Sequence, residues 1–474
     1  FEEIFTPPAP LNPDADHDIG NDRFPQLATD GQGNWVAAWS SYVSHGPQIG
    51  SLWDLDVAHS TDNGVTWVLT ETLSTSGHDR PSRLLNDGTG TWMLLWKSFG
   101  VWPDHDYDEA AFVVSRSTDA GLTWSAPVVL SNYGKSDSNE EEIPQLSTDG
   151  LGNWVAFWEC RDTLDNTIDN DWDIVFVRST DSGATWSSAA PLNANAGSDS
   201  VDDEHPQIVN DGLGNWIAVW ASEAGGDDLD VFFARSTDAG ATWSAPVPLN
   251  SNANSDVGHD YDPILETDGA GTWLATWVST DSLGGAIGED ADILFAVSVD
   301  GGATWSAPAV LNTGAQDDSV DDYSPKLLWD RSGYWSAAWH TDNDLAIRIS
   351  RSSDGTTWSV PVAVSTSARS DRDYYTSLRL LTDGMGTSVM VWVWGNREEY
   401  VRNIMWAYSV DNGATWTPPA PLSSNPYASS VWEEHPQIAT DGAGHWVVVW
   451  TSDDSLGETI HGDFDILYTT ATLP

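Results

Sequence analysis

Acidic side chains recur in this sequence at spacings that would gather them. A D-x-D pair appears as Asp54 and Asp56, Asp171 and Asp173, Asp228 and Asp230, Asp290 and Asp292, and Asp463 and Asp465. On an extended strand both carboxylates of such a pair face the same side. Further acids precede other extended segments: Glu142, Asp203 with Glu204, Asp260 with Asp262, Asp321 with Asp322, and Glu433 with Glu434. Clustered carboxylates repel unless something compensates, and calcium, with about six to eight oxygen ligands, suits them. The five D-x-D pairs, with Glu204 and Glu434, are therefore expected to hold calcium. The bland alternative is a hydrated acidic surface whose Asp side chains tie down loops. The spacing is not that of an EF-hand loop, so composition carries this expectation.

A second chemistry is that of arginine. Arg23, Arg80, Arg83, Arg372 and Arg379 lie near the starts of one class of extended segment, with Tyr374 and Tyr375 close by. A bidentate arginine cluster is apt for a carboxylate ligand. Arg80, Arg83 and Arg379 read as out of register with Arg23. The expected ligand-binding residues are Arg23 and Arg80, with the loop aromatics Trp53, Trp172 and Trp432. No catalytic residue is assigned. Arg116, Arg178, Arg235 and Arg351 precede a repeated box and read as scaffold, as do His205 and His435, which share the frame E-H-P-Q. Cys160 is the one cysteine, so no intrachain disulfide forms.

The elements that must position these groups are written in two repeated signatures. S-x-D-x-G-x-T-W occurs at Ser60–Trp67, Ser117–Trp124, Ser179–Trp186, Ser236–Trp243, Ser298–Trp305, Ser352–Trp358 (one residue short) and Ser409–Trp416. A D-G-x-G turn ending in Trp alternates with it, from Thr29–Trp35 to Thr440–Trp446, and the Trp is lost at Ser388. Gly and Asp suit tight turns that need positive φ, and the flanking segments are β-strands by pattern. Each repeat of roughly 60 residues reads as four strands, A to D, with D-G-x-G between A and B and the box between C and D. In the fourth repeat these strands are expected near 206–209, 215–221, 229–236 and 242–249. The box Asp should accept backbone N–H bonds and the box Trp should tuck beneath its turn.

Eight A-B-C units meet only seven boxes. The missing strand D lies at the other end, where Phe5–Asn12 matches the tail of a box repeat, Trp416–Leu422. The expected fold is all-β, an eight-bladed β-propeller of four-stranded antiparallel blades, one domain over 1–474. Residues 1–12 supply the outer strand of the eighth blade and close the ring. The alternative is that this strand completes a neighbouring molecule.

Net charge is −54, from 18 Lys and Arg against 72 Asp and Glu. Such a surface repels nucleic acid and anionic lipid. No apolar run reaches membrane-spanning length, so no membrane insertion is expected. The first residue is Phe1, which reads as a mature chain after removal of a signal peptide, secreted or at the cell surface.

The S-x-D-x-G-x-T-W element, placed between third and fourth strands, resembles the Asp-box (BNR repeat) of the sialidase superfamily. The resemblance spans the chain through its repeats. It implies a propeller and, as ligand class, extracellular glycan; a surface protein is a further partner class. Sialidases grip a carboxylate with three arginines, the first in an R-I-P-like sequence, and Arg23-Phe24-Pro25 is similar to it. Family sialidases have six blades, against eight here. The favoured function is a binding module for extracellular glycan with cation-binding acidic loops. The alternatives are a sialidase-like glycoside hydrolase and a structural subunit that self-assembles.

Overall fold

The structure, a computed structural model, describes residues 4–12, 15–16, 20–42, 53–73, 78–99, 110–131, 141–161, 164, 167–168, 171–198, 200–223, 228–253, 257–288, 290–312, 315, 319–342, 346–365, 373–396, 401–422, 431–460 and 462–474. Among these residues the strands form eight four-stranded sheets, and there is no helix. The fold is an eight-bladed β-propeller of antiparallel blades. Two compact units divide it, Phe1–Ser131 with Ala368–Pro474 and Asn132–Ser367, each holding four blades.

The fourth blade, in the second unit, shows the plan. Strand A is Asp203–Asn210, B is Trp216–Ser222, C is Asp230–Ser236 and D is Val247–Pro248. Strand A begins three residues earlier than its sequence pattern, because the acids before the proline pair in the ladder. Strand D pairs through two residues only, Val247 and Pro248 with Phe233 and Phe232. The box is followed by S-A-P-V-P, and a proline donates nothing to a ladder.

The blade cores are built from strand B, buried on both faces. Trp216 and Trp220 are fully buried with Ile208, Phe232 and residues of the preceding blade such as Phe157 and Ile174. Apart from buried Trp124, the box tryptophans are only partly covered. Trp243 packs edge-on against Phe176 of the third blade, with ring centroids 6.1 Å apart, and Trp305 meets Phe233 in the same way. These two are wedges between blades, while Trp67, Trp124 and Trp416 tuck beneath their own turns as expected, each donating from Nε1 to its box Gly64, Gly121 or Gly413 carbonyl at 3.0–3.2 Å.

The box Asp does what its position demands. Asp181 Oδ1 accepts the Thr185 N–H at 2.8 Å and the Ser179 hydroxyl at 2.8 Å, while Oδ2 accepts the Thr185 hydroxyl at 2.6 Å. These bonds hold its pKa down at about 2. Gly302 of the fifth box has φ +78°, and a Cβ there would run into Ile217 of the preceding blade, so both conformation and space require glycine. Arg178 donates from Nε to Ala239 O in the next box at 2.7 Å and from Nη2 to Asn153 at 3.3 Å. It is scaffold, as its repetition suggests.

Within the first unit the N-terminal strand closes the eighth blade. Ala9 and Pro10 pair antiparallel with Tyr468 and Leu467, and Phe5 bridges Ala471. Phe5 is buried against Trp406, 4.6 Å between centroids.

Candidate functional site

Strand A supplies the site because it is bulged near its start. In seven blades the ladder skips two residues, for example between Arg23 and Gln26 and between Glu434 and Gln437. The first skipped residue is left-handed at Phe24 (φ 59°), His205 (57°), Asp262 (52°), Ser324 (53°), Ser377 (55°) and His435 (56°). At five of these six positions a proline follows. The bulge re-aims the flanking side chains, and strain of this kind gathers at functional positions.

In the first unit two guanidinium groups hold one carboxylate, and a third, that of Arg80, joins them around His435. Glu434 lies 2.6 Å from Arg402 Nη1 and 3.6 Å from Arg23 Nη1, and accepts Trp432 Nε1–H at 2.9 Å. Each arginine lies over an aromatic face: Arg23 over Phe464 at 4.0 Å, Arg80 over Phe24 at 3.9 Å and Arg402 over Trp432 at 3.9 Å. Stacking of this type leaves the guanidinium edge available for a bidentate partner. His435 sits at the centre, its ring 4.7 Å from Phe24 and its Nδ1 3.7 Å from Glu434. Burial lowers the His435 pKa. Glu434 opposes that shift, and the charges of Arg80, Arg23 and Arg402 reinforce it. Burial raises the pKa of nearby Asp453, with the Asp454 and Glu434 charges adding to the effect. Asp453 Oδ1 accepts the Trp432 N–H at 2.6 Å.

The structure thus brings Arg23, Arg80, Trp432 and Glu434 together. Arg80 is in register with Arg23, contrary to the sequence reading: Arg23 pairs Ser40 and Arg80 pairs Lys97, each the sixth residue of its strand B. Arg83 and Arg379 share a different register, opposite Leu95 and Val391. Solvent reaches Arg83 although protein rings it, and that partial desolvation lowers its pKa; desolvation does the same at Arg379, where repulsion from Arg83 adds. Trp53 packs instead on Tyr42, 5.2 Å between centroids. Trp172 lies in the second unit, where its N–H donates to Asp202 at 3.0 Å. Arg372 is outside the described residues, as are the side chains of Tyr374, Tyr375 and Glu142. Sequence reasoning missed Arg402, Phe24 and Phe464. Arg402 and Phe464 occupy the register of the central residue in D-x-D, one before Asn403 and Asp465. That shared frame was the available signal.

The expected calcium ligands divide into kinds. Asp173, Asp230, Asp292 and Asp465 open strand C in one register and are fully buried. Asp54 shares that register, but Asp56 lies two residues further in and accepts the Thr72 hydroxyl at 2.7 Å. Asp171 and Asp228 are buried, Asp463 is half-buried, and half-buried Asp290 accepts the Val320 N–H at 2.9 Å. Glu204 is half-buried at the bulge of the fourth blade. Glu434 is held by arginines. Among the described residues no three His, Cys, Asp or Glu side chains converge as ligands of one metal ion.

No family model matches this chain. A sialidase of Bacteroides fragilis is 25% identical over 238 residues, covering 44% of this chain and 42% of that protein. The chain therefore spans less than half the length of this relative. Among solved structures, a protein of unknown function from Dyadobacter fermentans aligns over 99% of both chains at 12% identity and TM-score 0.44. A Hadza microbial sialidase aligns over 98% of this chain and 95% of its own at 17% identity and TM-score 0.43. An ulvan lyase aligns over 80% and 89% at 12% identity and TM-score 0.49. All of these likenesses are distant.

Proposed function

We propose that this chain, an Asp-box β-propeller of the sialidase superfamily, is a secreted or surface-exposed binding module for an acidic extracellular glycan. One observation carries the reading: in a chain of net charge −54, Arg23, Arg80 and Arg402 all bear on His435 at one end of the first unit. The carboxylate of an acidic sugar would displace Glu434 from the guanidinium edges, while its ring lies against Trp432, Phe24 or Phe464. Aromatic faces of this kind suit the apolar side of a pyranose, and the arginine fork suits its carboxylate. The test is calorimetric titration with sialyllactose and with a glucuronate-containing tetrasaccharide, beside lactose. Binding of an acidic sugar by the unaltered chain, weakened at least tenfold by Arg402→Ala, is expected. Equal binding of lactose, or indifference to the substitution, would refute it. The sialidase relative supports hydrolysis as the second reading, which release of free sialic acid by the unaltered chain would favour.

A further inference from the structure

Consecutive blades are joined by a bracket of buried oxygens that the glycan site does not use. In the second unit, Asn193 Nδ2 donates to Asp173 Oδ1 at 2.7 Å and to Asp203 Oδ2 at 2.7 Å. One blade later Asn250 Nδ2 donates to Asp230 Oδ1 at 2.7 Å and to Asp260 Oδ2 at 2.8 Å. In each case the first Asp opens strand C, the Asn follows strand D and the second Asp opens strand A of the next blade. All six residues are between 0% and 1% exposed. The amide oxygens Asn193 Oδ1 and Asn250 Oδ1 are buried and accept no hydrogen bond, and Asp228 Oδ2 is in the same condition two residues before Asp230. In the first unit Asn12 donates to Asp465 at 3.0 Å, and its Oδ1 is again buried without a donor. A buried acceptor without a donor costs free energy unless a proton or a cation faces it.

The chain contains its own comparison. Where Leu-Asn ends the strand D region, at Asn12, Asn193, Asn250 and Asn312, strand C of that blade opens with Asp465, Asp173, Asp230 and Asp292. Where Leu-Ser or Val-Ser ends it, at Ser131 and Ser365, strand C has Ala111 and Ala346 in that register. There the serine hydroxyl simply receives the N–H of Phe112 at 2.7 Å or of Ile347 at 2.8 Å. Every such Asn therefore meets an Asp, although the converse fails at Asp54, which holds the same register in a blade whose strand D region ends Leu73-Ser74. At Asn312 the amide oxygen receives the Ile293 N–H at 3.3 Å, so that bracket is already closed by a donor.

We propose that the brackets at Asp173–Asn193–Asp203 and Asp230–Asn250–Asp260 each bind a divalent cation of calcium type between blades. The donor set is all oxygen: carboxylates, an amide oxygen and, to complete the shell, backbone carbonyls and water. That chemistry selects a hard cation over zinc or copper. Two carboxylates and an amide also explain why no three acidic or imidazole side chains converge. Each cation would pin strand C of one blade to strand A of the next, so the effect is on stability rather than on ligand choice.

The test uses the full chain stripped with chelator and titrated with calcium chloride alone. We expect saturable binding of at least two ions per chain and a melting temperature raised on the order of 5 °C. Sodium chloride at equal ionic strength should leave the melting temperature far below that. Asp230→Asn should remove one ion from the stoichiometry. If that variant does not fold, metal analysis of the unaltered chain after gel filtration in calcium decides the matter. Fewer than two bound ions, or stabilisation reproduced in full by sodium chloride, would overturn the proposal.

Discussion

Glu434→Gln isolates the electrostatics of the arginine site. Gln keeps the size of the side chain and an acceptor for Trp432 Nε1 and Arg402 Nη1, bonded at 2.9 and 2.6 Å, but removes the charge. Glu434 is the group that raises the His435 pKa against burial and three guanidinium charges. At a separation of 3.7 Å, and with an effective dielectric of about 40–80 for a partly exposed pair, its charge contributes about 1–2 kcal/mol. The variant's imidazole should therefore titrate lower than that of the unaltered chain. Proton NMR of the histidine Hε1 signals, assigned by loss in His435→Asn, measures this. The same charge competes with an acidic ligand, so sialyllactose affinity should rise by about three- to tenfold. An unchanged or raised His435 pKa would refute the assignment of Glu434 as the nearest charge. A loss of affinity would show that Glu434 touches the sugar rather than yielding to it.

Two further outcomes follow from packing and hydrogen bonding. Trp220→Ala, at a fully buried position in its blade core, should cost about 3–5 kcal/mol in urea unfolding, whereas Trp243→Ala, a partly covered wedge, should cost about half that; equal costs would contradict the packing. Asp181 is depressed to about 2 in the folded chain, so its contribution is complete above the unfolded carboxylate value near 4 and fades as pH falls through about 2; the melting-temperature gap between the unaltered chain and Asp181→Asn should close over that window, and a gap constant from pH 5 to 2 would contradict it.

The blade plan was legible because its signals are local. Gly and Asp at fixed turn positions set the hairpins, and the tail match between Phe5–Asn12 and Trp416–Leu422 located the strand that pairs with Tyr468 and Leu467. The site was only half legible. Arg23 and Arg80 stood out as arginines near strand starts, but their common register depends on where the bulge falls, and a bulge shifts register without changing the hydrophobic alternation. His435 read as scaffold because it belongs to a repeated frame, and Phe24 drew no reading of its own, yet their left-handed backbone places both in the site. Arg402 comes from another blade, after a segment outside the described residues, and only pairing across strand B reveals that it stands where Phe464 does. The acids misled in a different way. Their number suggested an open cation-binding rim, whereas the first Asp of strand C is walled in by a partner Asn some 20 residues downstream.

The most direct test of the central claim compares one acidic oligosaccharide with its carboxyl methyl ester, titrated calorimetrically at physiological salt. Neutralising the carboxylate leaves the sugar ring and its hydroxyls in place. The arginine site predicts that the acid binds and that the ester binds at least tenfold more weakly, with the difference abolished in Arg23→Ala/Arg402→Ala. Equal affinity for acid and ester would contradict it.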